Sequence, residues 1–294
     1  MTDTKVETPS GKGAADENFP VGSWLLPAAL RPHVATYYAF ARAIDDIADN
    51  PQLAAEDKIA RLAAFEAALT DPAAAGAGLE KAKRLRESLA ATGVPAARGT
   101  DLIAAFKQDA VKLRYADWGE LLGYCRLSAN PVGRYLLDLH GEDPAGYTAS
   151  DALCTALQIL NHLQDCRDDY HELDRVYLPL DWLQAEGFDV TVLDRDASPP
   201  GFRRLLDRCL DGVDGLMEEA GQLPGQLRSA RLAMESAVIV QLARRLTKRL
   251  RAGDPLAGRV ALSRGDFIAC GIKGICGVQL GRLFGRHQPA SQSR

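Results

Sequence analysis

Apolar residues recur at three- and four-residue spacing along nearly the whole chain, and no stretch alternates apolar and polar as a half-buried strand would. The pattern predicts helices over Pro32–Asp49, Leu53–Leu69, Leu79–Ala91 and Ala97–Leu113. Asn50-Pro51, Thr70-Asp71-Pro72 and Thr92-Gly93 close the first three. Trp118–Leu139 reads as helix interrupted near Asn130-Pro131, and a helix capped by Ser150 or Asp151 is expected to reach about Tyr170. Leu178–Pro200 reads as connection holding a short helix. Phe202–Ala220, Arg228–Arg251 and Asp254–Leu283 complete the set. The polar stretches 1–16 and 285–294 are expected to be flexible tails around one all-α domain spanning 17–284.

Composition supports that reading. Hydrophobic residues are 47% and charged residues 25% of 294, the balance of a globular chain, and Ala, Leu and Arg dominate while aromatics are only 6%. Against 35 Lys+Arg stand 39 Asp+Glu, a net charge of −4, so no broad positive field invites nucleic acid. The six cysteines form no CxxC pair, the N-terminus has no apolar signal core, and no run of eighteen apolar residues occurs. Reduced thiols and a cytoplasmic location are expected. Gly271, Gly274 and Gly277 follow no strand, which points to close helix packing rather than a dinucleotide loop.

Candidate chemistry sits in two acidic clusters. Asp45, Asp46 and Asp49 lie on an otherwise apolar helix, with Asp45 and Asp49 one turn apart on one face. Like charges at that spacing repel, and acids on a buried helix need a cation. The second cluster repeats the device: Asn161, Asp165 and Asp169 form an i, i+4, i+8 row, with Asp168 beside it, on a helix led in by Leu153, Leu157, Ile159 and Leu160. Oxygen ligands without His or Cys suit Mg²⁺, with Mn²⁺ as a substitute, and two facing rows would hold two or three Mg²⁺ ions around a diphosphate. A di-iron site would need Glu and Glu-x-x-His pairs that neither row supplies. His162 and Cys166 make half a zinc site without a second half.

These motifs resemble the squalene/phytoene synthase family: an Arg-x-x-Asp-Asp-x-x-Asp helix, a later Asn-x-x-x-Asp-x-x-x-Asp helix, and a downstream Arg-Val-Tyr-Leu-Pro. The similarity runs from about Asn18 to Leu283 and implies the isoprenoid synthase fold, a helical bundle around a central apolar cavity. It implies that Asp45, Asp49, Asn161, Asp165 and Asp169 bind metal, with Asp46 and Asp168 beside them. Arg42 would contact diphosphate, and Arg175 and Tyr177 would belong to a loop closing over it. Tyr38, Tyr124, Ala129, Val132, Gly133 and Gln158 would line the prenyl pocket.

Three stretches, ENFPVGSWLLP (Glu17–Pro27), YAFARAIDDIAD (Tyr38–Asp49) and YCRLSANPVGR (Tyr124–Arg134), resemble the bacterial branch that serves hopanoid biosynthesis. Departures agree with that branch. Ala15-Asp16-Glu17-Asn18-Phe19 stands where condensing members carry His-Ser-Lys-Ser-Phe, and Arg126 and Asn130-Pro131 replace a Tyr and a Gly-Thr. The resemblance therefore implies a lyase-type reaction of presqualene diphosphate with water, without NADPH. Arg126 and Asn130 are candidates for placing the water or a phosphate; the alternative is that Arg126 pairs with an acid and Asn130 relieves the break at Pro131. The rivals are a transferase joining two prenyl diphosphates head to head, and a catalytically silent helical scaffold among pathway enzymes. The segment FIACGIKGICGVQLGRLFGR could meet the inner membrane peripherally, although a core helix is the favoured reading.

Overall fold

The computed structural model describes residues 6–7, 25–74 and 76–285. The C-terminal tail beyond 285 and most of the N-terminal stretch, including the substituted Ala15–Phe19, lie outside the described residues. Within the expected N-terminal tail, the Val6 carbonyl accepts from Arg61 (3.1 Å) and Glu7 pairs with Lys81 (2.8 Å).

Thirteen α-helices, two short 3-10 helices and one two-stranded sheet are found among the described residues. The first four are α1 (Arg31–Ala48), α2 (Ala55–Thr70), α3 (Glu80–Thr92) and α4 (Ala97–Asp109). Pro32 opens α1 at a position where its missing N–H costs nothing, and Phe40, Ile44 and Ile47 bury its apolar stripe completely. α1 packs on α2, α3 and α4. The next group is α5 (Trp118–Ser128), α6 (Asn130–Leu139) and α7 (Tyr147–Gln164). The break before Pro131 falls at Ala129, as the sequence implies. Gly133 lets α6 lie directly on α7: a Cβ there would stand 2.4 Å from Ser150 Oγ and 2.6 Å from Cys154 Sγ. α8 (Cys166–Leu173), α9 (Leu180–Ala185), α10 (Pro200–Ala220), α11 (Leu223–Gln226), α12 (Ala230–Ala252) and α13 (Arg264–Gly285) follow. α7 is central, contacting α5, α6, α10 and α12.

The structure corrects the expected elements in five places. α4 stops at Asp109, and the chain forms β1 (Arg114–Tyr115), paired in parallel with β2 (Val176–Pro179); strands of two and four residues are too short to show alternation. Tyr177, expected in a closing loop, is a buried residue of β2. α7 begins at Tyr147 after a turn capped by Asp143, so Ser150 and Asp151 are inside the helix, where Asp151 pairs with Arg134. Asp165 interrupts the long helix, although Asp165 N–H still bonds Asn161 O (3.0 Å) and Asp169 N–H bonds Asp165 O (2.8 Å), which keeps the acidic row on one side. Residues 254–263 are not helical, and α13, read as a core helix, is mostly exposed.

Candidate active site

Arg42 sits one turn before the first aspartates and answers their mutual repulsion. Its Nη1 is 3.0 Å from Asp45 Oδ2, and its Nε and Nη2 are each 3.1 Å from Asp46 Oδ1. Asp49 ends α1 and takes a second guanidinium: Arg175 Nη1 lies 2.5 Å from Asp49 Oδ1, while Nη2 donates to the Ala48 carbonyl (2.9 Å). That carbonyl belongs to the last turn of α1, where the helix leaves acceptors unpaired and the dipole favours a cation. Arg175 reaches it because Asp174 adopts a left-handed backbone (φ 52°), a conformation Asp tolerates, and turns the chain back at the end of α8. Burial opposes the charge of Arg175. Tyr177, Asp49 and Asp109 outweigh it and hold the guanidinium pKa above its ordinary value.

The second row meets the first here. Asp165 is held by Arg259 (Nε 2.7 Å, Nη2 3.3 Å), a residue from the non-helical stretch before α13. Asp168 is exposed and adds to the field that keeps Arg259 charged. Asp169 is 3.9 Å from His162 Nδ1. Burial pushes its carboxyl up from the ordinary value, His162 pulls it down, and both Asp165 and Asp49 push it up again. Asp49 thus acts on Asp169 across the site, so the ends of the two acidic helices converge.

Among the described residues no three His, Cys, Asp or Glu side chains form a ready metal cluster. The carboxylates are engaged by Arg42, Arg175 and Arg259 instead. The donor set of Asp45, Asp49, Asn161, Asp165 and Asp169 nonetheless fits a hard divalent cation: every donor is oxygen, and the aspartates outnumber the guanidinium groups facing them.

A cavity of about 400 Å³ runs from this polar end between α1, α6, α7 and α12. It follows α1 from Asp45 back to Val34 and α7 from Asn161 back to Ser150, about 16 Å at 1.5 Å per residue. Tyr38, Ala129, Val132, Gly133 and Gln158 line it, as do Arg42, Asp45 and Asn161. Its far end is closed by Leu26, Leu223 and Leu232; Arg231 donates to the Leu25 carbonyl (3.5 Å), tying the start of α12 to that end.

Four expected site residues stand elsewhere. Tyr124 is buried behind the site, its hydroxyl donating to Asp109 Oδ2 (2.6 Å). Tyr177 donates to Asp109 Oδ1 (3.0 Å) and stacks on the His162 ring (3.8 Å between centroids). Burial pushes the Asp109 carboxyl up to about 6, against the opposing pull of Arg175 and the two phenols. Arg126 and Asn130 face a different cavity, of about 750 Å³, on the outer side of α5 and α6. Asn130 Oδ1 accepts from Thr155 (2.9 Å), tying α6 to α7 at the break.

Sequence reasoning missed Asp109, Lys58, Arg259 and Glu235. Lys58 lines a small cavity of about 310 Å³ with Asp49 and Arg175, and its pKa is drawn down by burial and Arg175 against the pull of Asp49. Glu235 is a buried carboxylate on the cavity-facing side of α12, next to Ser236. An acid inside the apolar run Leu232–Val240 was the available signal for Glu235; nothing local distinguishes the other three.

The chain matches the squalene/phytoene synthase profile over residues 13–266. It is 40% identical to the hydroxysqualene synthase of Rhodopseudomonas palustris over 95% of both chains. Against two proteins of Zymomonas mobilis it diverges unequally. Identity to the hydroxysqualene synthase is 37%, covering 94% of this chain and 91% of that one; identity to the presqualene diphosphate synthase is 31%, covering 65% of each. The crystal structure of squalene synthase HpnC from Alicyclobacillus acidocaldarius superposes with a TM-score of 0.71 at 32% identity, covering 79% of this chain and 87% of that one.

Proposed function

Because the chain belongs to the squalene/phytoene synthase family, whose members act on prenyl diphosphates, we propose that it is a Mg²⁺-dependent hydroxysqualene synthase. The reaction is presqualene diphosphate plus water to hydroxysqualene plus diphosphate. The observation that carries this reading is a buried carboxylate, Glu235, in the wall of an apolar cavity whose polar end carries Arg42, Asp45 and Asn161. The near full-length similarity to hydroxysqualene synthases supports it further.

The diphosphate lies at the polar end, where Arg42, Arg175 and Arg259 turn from carboxylate to phosphate oxygens. Fork-shaped guanidinium groups bind either anion with similar geometry. Asp45, Asp49, Asn161, Asp165 and Asp169 would hold Mg²⁺, which would supply Lewis-acid neutralisation of the leaving group. Asp46, gripped by Arg42, and Asp168, beside Arg259, position those two arginines. The carbon–oxygen bond breaks with its electron pair leaving on the diphosphate, as the arginines strengthen their hydrogen bonds to the growing charge. The remaining cation is enclosed by side chains such as Tyr38, Leu157 and Ile239, which keep bulk water out. Glu235 and Ser236 hold the single water that attacks. Its oxygen forms the new carbon–oxygen bond and its proton passes to the Glu235 carboxylate. Water capture is redox-neutral and calls for no NADPH. Presqualene diphosphate must come from an enzyme joining two C15 diphosphates, so the partners are the enzymes before and after it in that sequence.

The test is incubation with presqualene diphosphate and Mg²⁺ in heavy-oxygen water, with and without NADPH, followed by mass analysis. A labelled C30 alcohol, formed equally without NADPH and abolished by EDTA until Mg²⁺ is restored, is expected. Squalene as product, an unlabelled alcohol, or a C30 product from farnesyl diphosphate alone would refute the proposal.

A further inference from the structure

α13 leaves exposed what a bundle helix buries. Phe267, Ile268, Ile272, Leu280, Leu283 and Phe284 are all exposed, Phe284 by 74%. Ile268, Ile272, Leu280 and Phe284 fall at multiples of four residues and form one ridge. The opposite face is clamped to α12. A Cβ on Gly274 would stand 2.7 Å from Val238 N, and Asp266 pairs with Arg245 (2.7 Å) and Arg249 (2.5 Å) near the end of α12. At the other end Arg282 donates to the Leu227 (2.7 Å) and Arg228 (3.2 Å) carbonyls just before α12 begins. Residues 264–284 are long and apolar enough to cross a membrane, but a helix held along its length in this way lies on the protein surface. The family profile ends at residue 266, so α13 follows the segment that defines the family.

We propose that α13 docks the enzyme onto an anionic lipid bilayer, its ridge entering the acyl boundary and its flanking cations meeting lipid headgroups. Charge selects this occupant. The groove of about 640 Å³ between α13 and α12 is lined by Arg228, Lys273 and Arg282, and Arg264 opens the helix. The one acid of α13, Asp266, is buried against its arginines, so the exposed side carries only positive charge. A second copy would bring the same cations against themselves, whereas anionic headgroups complement them. Placement agrees. α12 and α13 run antiparallel, so Leu280, Leu283 and Phe284 lie at the end of the molecule where Leu26, Leu223 and Leu232 close the cavity. A C30 hydrocarbon chain would have a short path between cavity and bilayer. Docking is independent of the proposed reaction; only this use of it rests on that reading.

Full-length protein is sedimented with phosphatidylcholine vesicles, with and without phosphatidylglycerol. Binding should require the anionic lipid and weaken as salt rises. Ile268→Ser with Ile272→Ser should weaken it at least about tenfold, and Lys273→Gln about fivefold. Both variants should keep the helical circular dichroism and the turnover of detergent-dispersed presqualene diphosphate. No vesicle binding, equal binding to neutral vesicles, or undiminished binding by both variants would overturn docking. So would light scattering that shows a dimer dissociated by the isoleucine substitutions. Vesicle binding by a protein that leaves presqualene diphosphate untouched would instead sink the reaction and leave docking intact.

Discussion

Replacing Asp109 by Asn should stabilise the protein at neutral pH and leave it unchanged in acid. The carboxyl is almost fully buried between Tyr124 and Tyr177, and burial pushes its pKa from 3.8 up to about 6. An unfolded chain gives up this proton near 3.8 and the folded chain near 6. Between those values the folded state holds more protons, so stability falls as pH rises through the interval. At ~1.36 kcal/mol per pH unit the loss amounts to about 3 kcal/mol, complete once the pH exceeds about 6. Asn has the shape of the protonated acid, does not titrate, and still accepts a phenol hydrogen bond through Oδ1. The variant should therefore match the parent near pH 4 and exceed it by up to about 3 kcal/mol near pH 7. Urea unfolding followed by far-ultraviolet circular dichroism, from about pH 4.5 to 7.5, measures the difference directly. A difference independent of pH, or an Asn variant less stable at neutral pH, would mean that Arg175 and the two phenols keep the carboxylate ionised at little cost.

Arg175→Gln removes the guanidinium shared by Asp49 and the end of α1; KM for presqualene diphosphate should rise at least about tenfold, and Arg175→Lys should recover little, because Lys lacks the fork. An unchanged KM would remove Arg175 from the diphosphate site. Glu235→Gln should still release diphosphate from presqualene diphosphate, but the share of hydroxysqualene among the C30 products should fall in favour of alkenes formed by proton loss; an unaltered product ratio would exclude Glu235 as the proton acceptor. Gly133→Ala forces a methyl group to within 2.4 Å of Ser150 Oγ, which should cost ~1–3 kcal/mol by overpacking and show as a lowered melting temperature; a neutral result would mean that α6 shifts freely on α7.

Much of the candidate site was legible along the chain because it is local. Asp45 and Asp49, like Asn161, Asp165 and Asp169, are related by single helical turns, so spacing alone places them on a shared face, and Arg42 belongs to the same turn as Asp45 and Asp46. The pocket positions Tyr38, Ala129, Val132, Gly133 and Gln158 were readable because the motifs that contain them resemble those of the family. Arg126 and Asn130 were misplaced although they belong to one of those motifs: Arg126 on α5 and Asn130 at the start of α6 both line the outer cavity, and which cavity a helix face meets is set by packing rather than by local pattern.

The sequence by itself determined that the chain is a helical bundle, where most of its helices start and stop, and which carboxylates form rows, since these follow from hydrogen bonds and side-chain directions a few residues apart. Only the tertiary structure decided which groups answer those rows. Arg259 reaches Asp165 from 94 residues away, Arg175 reaches Asp49 from 126, and Glu235 enters the cavity because α7 and α12 pack together. It also decided that α13, apolar enough for a core, stays outside: among the described residues α13 packs mainly on α12, through one face, and its other face is exposed. Helix periodicity is written in neighbouring residues, whereas the meeting of distant side chains depends on how the helices fill space together.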